Sequence, residues 1–354
     1  MKSKSTKLKT NHIVKSVIIL LACFTTINAF ASPHDDDDII TEATPSSSGT
    51  DLLLFNTQIN NTASKINGHI SASLSSSGLL ASTQTISNST SGLNAGDIFS
   101  VPYGVWGNYS YTDFDNDLST TAFDGSTHGF LGGIDFLYSE RTIFGIAFGY
   151  DNSDINTTFN TGNQDTDSFT IAPYFGAVLT DILSVDFNVG YSNVEYDQYR
   201  TAAATRISSS PNADRWFGSL NLNALKVVDN WILGGRVGAL FAKSNIDSYT
   251  ESNNTVVAQS RVKVGTASIA GDVAYSYGNF EPFINLAYQY DFSLRNITTT
   301  TAPVPSHDKD DILLSTGIRY FEKSGISGNL EYSKRLARDN FDEDRINLTL
   351  RIDY

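Results

Sequence analysis

The sequence predicts an all-β chain: a 12-stranded antiparallel transmembrane outer-membrane β-barrel, preceded by a short helix and a flexible linker. Three observations predict it. Residues 101–354 alternate apolar with small or polar side chains through twelve segments of about ten residues. The connections between those segments alternate between short and long, and the N-terminus has the make-up of an export signal. A tilted strand of ~9–11 residues crosses a bilayer with its apolar half hidden in alternation. A mean hydropathy of −0.18 is therefore compatible with a membrane barrel, while the lack of a long apolar run excludes a helical membrane protein.

Residues 1–31 read as a signal peptide. Lys2, Lys4, Lys7, Lys9 and Lys15 form a basic n-region, residues 17–24 an apolar core, and Ala29-Phe30-Ala31 an A-x-A site cleaved after Ala31. Leu20-Leu21-Ala22-Cys23 competes as a loose lipoprotein box, with Cys23 lipidated. Cleavage removes five lysines and takes the formal charge from −14 to −19, with 19 basic residues left against 38 acidic. Such a chain has no electrostatic attraction to nucleic acid, and one cysteine excludes a disulfide framework and a cysteine-based zinc site.

Residues 32–50 are expected to be an acidic, flexible N-terminus with Asp35–Asp38 as a solvated run. Residues 51–78 form a candidate lumen or linker helix, and 79–100 a Ser-rich linker. In the helix, Leu52, Phe55, Ile59, Ala63, Ile66, Ile70 and Leu74 recur at spacings of three and four, with Asp51 as a candidate N-cap. Its other residues are mostly Asn, Thr and Ser, weak helix formers, so this helix needs a surrounding wall.

The strands follow from Tyr103 onward. The third places Phe144, Ile146, Phe148 and Tyr150 on one face, and the last places Ile346, Leu348, Leu350, Ile352 and Tyr354. Short turns are expected near 139–141, 180–181, 229–230, 278–279 and 322–324. Long polar loops are expected near 113–125, 153–166, 195–214, 246–260 and 293–310, with a shorter one at 337–342. That asymmetry is the one outer-membrane barrels show, and an even strand count puts both barrel ends on the short-turn, periplasmic side. Tyrosines gather toward the strand ends, as aromatic girdles require. A soluble β-sandwich also alternates, but its outer face carries Lys, Glu and Thr rather than Gly, Ala, Ser and Asn. By parity Asp135, Asp186, Arg236, Asp272, Glu281, Arg319, Glu331, Arg335 and Arg351 face the lumen, where mixed signs suggest bracing ion pairs rather than a selectivity ring.

Val105-Trp-Gly-Asn-Tyr-Ser-Tyr111, Gly129-Phe-Leu-Gly-Gly-Ile-Asp135 and the closing Arg345–Tyr354 segment carry a resemblance. Over residues 96–354 the pattern resembles the autotransporter β-domain, the translocator of type V secretion. The resemblance implies a helix through the lumen, Sec-dependent export, periplasmic chaperones, insertion by the barrel-assembly machinery, and a monomer in the outer membrane of a Gram-negative bacterium. It also implies that the alternating last strand is the sorting signal, here Leu348, Leu350, Ile352 and Tyr354, with tyrosine where the family usually ends in Phe. Residues 32–95 are too short for the usual passenger, so the resemblance is to a barrel with a vestigial or peptide-sized one. Some members cut themselves between two asparagines in the linker helix. Asn60-Asn61 is the Asn pair here, with Asp135, Asp186 and Glu331 as acids of suitable parity.

No catalytic residue, cofactor or metal site is expected. Ser126-Thr127-His128 is the only Ser/His cluster on the barrel and lacks lipase-type flanks. The expected function is an outer-membrane translocator that exports or displays its short N-terminal segment. The alternative is a plugged structural or adhesive barrel, or a small porin-like channel, acting through its outer loops.

Overall fold

The structure is a computed structural model that describes residues 48–76, 102–139, 141–297, 308–322 and 325–354. The signal-peptide reading, with Ala29, Ala31 and Cys23, lies outside the described residues, as do the acidic run and the Ser-rich linker.

Helix α1 (Ser48–Ser76) is followed by β1 (Tyr103–Asn116), β2 (Phe123–Ser139), β3 (Thr142–Thr157), β4 (Gly162–Val178), β5 (Leu183–Ala202), β6 (Thr205–Ser209), β7 (Asn212–Val228) and β8 (Trp231–Ile246). The short β9 (Tyr249–Thr250) and β10 (Val256–Val257) precede β11 (Ser260–Tyr275), β12 (Phe280–Ile297), β13 (Asp310–Phe321), β14 (Ile326–Leu336) and β15 (Phe341–Asp353). Each long strand pairs antiparallel with its neighbours, and β1 pairs with both β2 and β15, so twelve strands close into a barrel. Closure satisfies every ladder group and leaves no edge, the condition for a sheet in hydrocarbon. No described helix is long and apolar enough to cross a membrane.

Two boundaries differ from the sequence reading. The helix starts at Ser48, so Asp51 lies inside its first turn instead of capping it. The twelve barrel strands run from 11 to 20 residues, and several of the expected long loops are largely strand: β1 continues to Asn116, β3 and β4 are joined by residues 158–161, and β5 turns back through β6. The reason is physical. Above the bilayer both faces of a strand meet water or polar neighbours, so apolar alternation stops while backbone pairing goes on.

The outer wall carries the apolar residues, with Phe130, Phe169, Ile269, Ile284, Leu286 and Leu350 all more than half exposed toward the lipid. At the short-turn end lie Tyr103, Tyr138, Trp231, Tyr275 and Tyr354, with Tyr354 stacked on Tyr103 across the seam. At the other end a motif recurs: an outward tyrosine donates its hydroxyl to an aspartate on the next strand. Tyr150 reaches Asp167 (2.5 Å), Tyr191 reaches Asp214 (2.5 Å), Tyr288 reaches Asp310 (3.3 Å), and Tyr332 reaches Asp344. These rings mark the two interfaces, each with an apolar body and a polar tip.

Candidate functional site: the filled lumen

The helix supplies what the barrel interior lacks. Leu52, Phe55, Ile59, Ala63, Ile66, Ile70 and Leu74 are all buried and pack on Trp106, Leu131, Ile143, Ala147, Ala172, Tyr174, Phe217, Leu240, Val262 and Val264. The wall therefore has an apolar stripe opposite the helix's own stripe. Toward the short-turn end, Ile70 and Leu74 meet Gly176, where a Cβ would lie 2.4 Å from Ile70 Cγ2. A missing side chain there is a notch that sets the depth of the helix. At the long-loop end, Leu53 and Leu54 pack with Phe114, Phe123, Ile155 and Phe341. The helix thus enters its N-terminus into the outer mouth and its C-terminus into the periplasmic one.

Four polar helix residues meet wall partners directly. Asn56 Nδ2 donates to Asp291 (2.9 Å), Asn61 Nδ2 to Thr112 (3.1 Å), Lys65 to Ser110 (2.5 Å), and Asn67 Nδ2 to Ser219 (3.0 Å). The Lys65 seat also depends on a glycine, because a Cβ on Gly129 would collide with Asp151, Ser110 and Lys65 Nζ. His69 forms the densest contact. Its Nε2 lies 2.6 Å from Asp135 Oδ2, its ring stacks on Trp106 at 4.1 Å, and Tyr174, which accepts from Trp106 Nε1, donates to Asp135. Arg351 closes the group, 2.7 and 2.8 Å from the two Asp135 oxygens.

The parity-assigned charges lie as follows. Asp135 and Arg351 pair with each other and with the helix. Asp186 accepts from Asn221 and Asn223, and Arg236 donates to Asn223 and to Ser71 of the helix. Asp272 pairs with Arg319 at 3.0 Å, next to Glu281. Glu331 accepts from Ser333, and Arg335 lies between Asp311 (2.5 Å) and Glu343 (2.8 Å). The sequence reading missed His69, Lys65, Asp291, Asp311, Arg338, Glu343 and Arg345. Glu343 and Arg345 continue the inward parity of Asn347 and Arg351, a signal obscured by assigning that stretch to a loop end. Leu348, Leu350, Ile352 and Tyr354 all face outward.

Asn60 donates to Asn56, and Asn61 to Thr112, while Asp135, Asp186 and Glu331 bond to other partners. Ser73, His69 and Asp135 mimic a nucleophile relay, but Ser73 Oγ (3.4 Å) and Asp135 meet the same His69 nitrogen. A relay needs the two on opposite ring nitrogens. His128 sits on the outer wall against Tyr109 (3.0 Å) and Tyr111, away from the lumen. Among the described residues no group of His, Cys, Asp or Glu is placed to hold a metal ion.

A family model described as the autotransporter β-domain matches residues 105–333, well over half of the chain. The chain belongs to the autotransporter β-domain family. Solved structures agree in fold. The translocator domain of autotransporter NalP from Neisseria meningitidis superposes with a TM-score of 0.65 at 12% identity, over 85% of this chain and 99% of that one. The β domain of the Bordetella autotransporter BrkA gives 0.57 at 13%, over 71% and 98%, and the transport unit of AIDA-I from Escherichia coli gives 0.53 at 13%, over 75% and 94%. In sequence the chain is 27% identical over 202 residues to the uncharacterised protein YaiT of Salmonella typhimurium. That match takes in 54% of this chain and 20% of the relative, so the chain spans about a fifth of that protein's length. As an autotransporter β-domain the barrel is an outer-membrane translocator, a transport and structural domain.

Proposed function

We propose that this autotransporter barrel displays its N-terminal segment on the cell surface and keeps α1 in the lumen afterwards. One observation carries the reading. The helix is threaded with Leu53 and Leu54 at the long-loop end and Leu74 at the short-turn end, so its N-terminal end opens at the outer mouth. A chain drawn through the barrel as a hairpin or from its C-terminal side ends in that polarity. The wall's notch at Gly176 and the Lys65 seat at Gly129 support a helix that stays, because a chain in transit has no use for fitted contacts. A filled lumen also favours display over a permanently open channel.

The hydrogen bonds of Asn60 and Asn61 favour an uncut helix. Within this proposal the sorting role of Leu348, Leu350, Ile352 and Tyr354, the lumen bracing by the nine parity-assigned charges, and cleavage after Ala31 remain parts of the same reading. The test is an epitope inserted at residue 40, probed with antibody on intact cells, with intact mass of the purified protein measured alongside. Surface exposure on an unfragmented chain starting at Ser32 is expected. An epitope reached only after lysis refutes display, and a fragment ending at Asn60 refutes the uncut helix.

A further inference from the structure

We propose that residues 337–340, the tip of the β14–β15 hairpin, form a hatch over the outer mouth of the lumen, latched by Arg338. The inference deepens the display reading and rests on its assignment of this end as the exit.

A long cation at a hairpin tip ordinarily extends into water. Arg338 is instead buried, with its guanidinium turned inward: Nη1 lies 3.1 Å from Asp311, Nη2 3.1 Å from Asp291, and Nη2 3.3 Å from the Asp308 carbonyl. The backbone is bent to achieve this. Ala337 (φ 62°) and Asn340 (φ 59°) flank the tip in the left-handed region, which alanine enters only at a cost. The strain is held by the contacts that Arg338 makes below it.

Those contacts reach the helix. Asp291 Oδ2, which accepts from Arg338, also accepts from Asn56 Nδ2 of α1, and Asp291 Oδ1 accepts from Thr266. Asp311 is shared between Arg338 and Arg335, and Arg335 continues to Glu343. The tip and the helix thus hold the same buried carboxylate. The residue that follows the tip, Phe341, belongs to the apolar ring that closes the mouth around Leu53 and Leu54. The short tip therefore carries the ionic latch through Arg338, beside an apolar seal whose Phe341, in β15, stays paired with Asn116 of β1. It can lift by rotation at Ala337 and Asn340 without unzipping a barrel strand.

The test uses the full chain with Cys23→Ser and a reporter at Thr57→Cys, a buried helix position below the mouth. Cells are labelled with a membrane-impermeant maleimide, and the barrel's assembly is checked by heat-modifiable migration. Arg338→Ala is expected to speed labelling at least about tenfold, the loss of two charge-assisted bonds. Arg338→Lys, which keeps the charge and loses the fork, is expected to fall between, and Asp339→Ala to match the parent. Equal labelling of the Arg338→Ala variant and the parent overturns the hatch. If Arg338→Ala does not assemble, Arg338→Lys carries the comparison, and a parental rate there overturns it. An epitope at residue 40 in the same cells separates the two readings. A hidden epitope with responsive labelling sinks display alone, and an exposed epitope with unresponsive labelling sinks the hatch alone.

Discussion

Arg351 on β15 grips Asp135 on β2 with two parallel bonds of 2.7 and 2.8 Å, reaching over β1, which lies between them. The pair bridges the seam where the first and last strands close the barrel. His69 of the helix sits on the same carboxylate at 2.6 Å, so one group joins closure of the wall to seating of the plug.

Removing one partner of this pair leaves a charge stranded in the lumen. Arg351→Ala is expected to cost roughly 3–5 kcal/mol, the penalty for an uncompensated buried charge. The double change Arg351→Met with Asp135→Leu is expected to recover much of it, because neither charge remains to be desolvated. Denaturant midpoints for folding into detergent or liposomes measure both, and a double variant no better than the single one would argue against desolvation as the cause.

The Gly176 notch makes a second, compensating prediction. Gly176→Ala puts a methyl 2.4 Å from Ile70 Cγ2 and is expected to cost roughly 1–3 kcal/mol by overpacking. Ile70→Ala alone is expected to cost roughly 2–5 kcal/mol by leaving a cavity. Combined, the two changes should cost less than their sum, since the added methyl occupies part of the space the isoleucine vacates. Additive costs in a double-mutant cycle would show that the helix does not use this notch.

The barrel was legible because the lipid imposes the alternation directly: Phe144, Phe148 and Leu286 had no other side to occupy. Helix α1 was legible from its own stripe, although its Asn, Ser and Thr content hides the fact that the wall satisfies them. What stayed hidden was pairing across the lumen. Parity says that Asp135 faces inward but not that His69, on a helix 66 residues earlier, will meet it. Strand extensions were hidden for the same reason that loops are polar: out of the bilayer, side-chain hydrophobicity no longer reports on backbone pairing. Arg338 was invisible because nothing in a polar tip sequence signals that its cation turns back inside.

Depth in the bilayer can be read by charge scanning. Leu286 faces lipid in the span of β12, and Leu286→Arg is expected to cost roughly 2–4 kcal/mol. Tyr277, in the short turn before β12, stands free at the interface, and Tyr277→Arg should cost no more than about 1 kcal/mol. Folding titrations in bilayers of defined thickness measure the difference, and similar costs at both sites would contradict the assigned span.

Above the tyrosine girdle, register places carboxylates directly opposite one another. Asp115 faces Asp124 on one side and Asp342 on the other, and Asp165 faces Asp154 and Asp197. Like charges in opposed positions destabilise a sheet. At these extramembrane positions, partial burial first and then the neighbouring aspartates push the Asp115 and Asp165 carboxyls above their usual range. An acid whose folded pKa is raised binds its proton more tightly when folded. Stability therefore rises as pH falls through the raised folded value, and the gain is complete below the unfolded value of ~3.9. Amide exchange at residues 113–117 and 163–167 should slow as pH falls from neutral toward the unfolded carboxylate value of ~3.9. Asp115→Asn with Asp165→Asn should bring the neutral-pH rates close to the low-pH rates and flatten the dependence. Exchange that stays equally pH-sensitive in that double variant, after correction for the intrinsic rate, would place the titrating groups elsewhere.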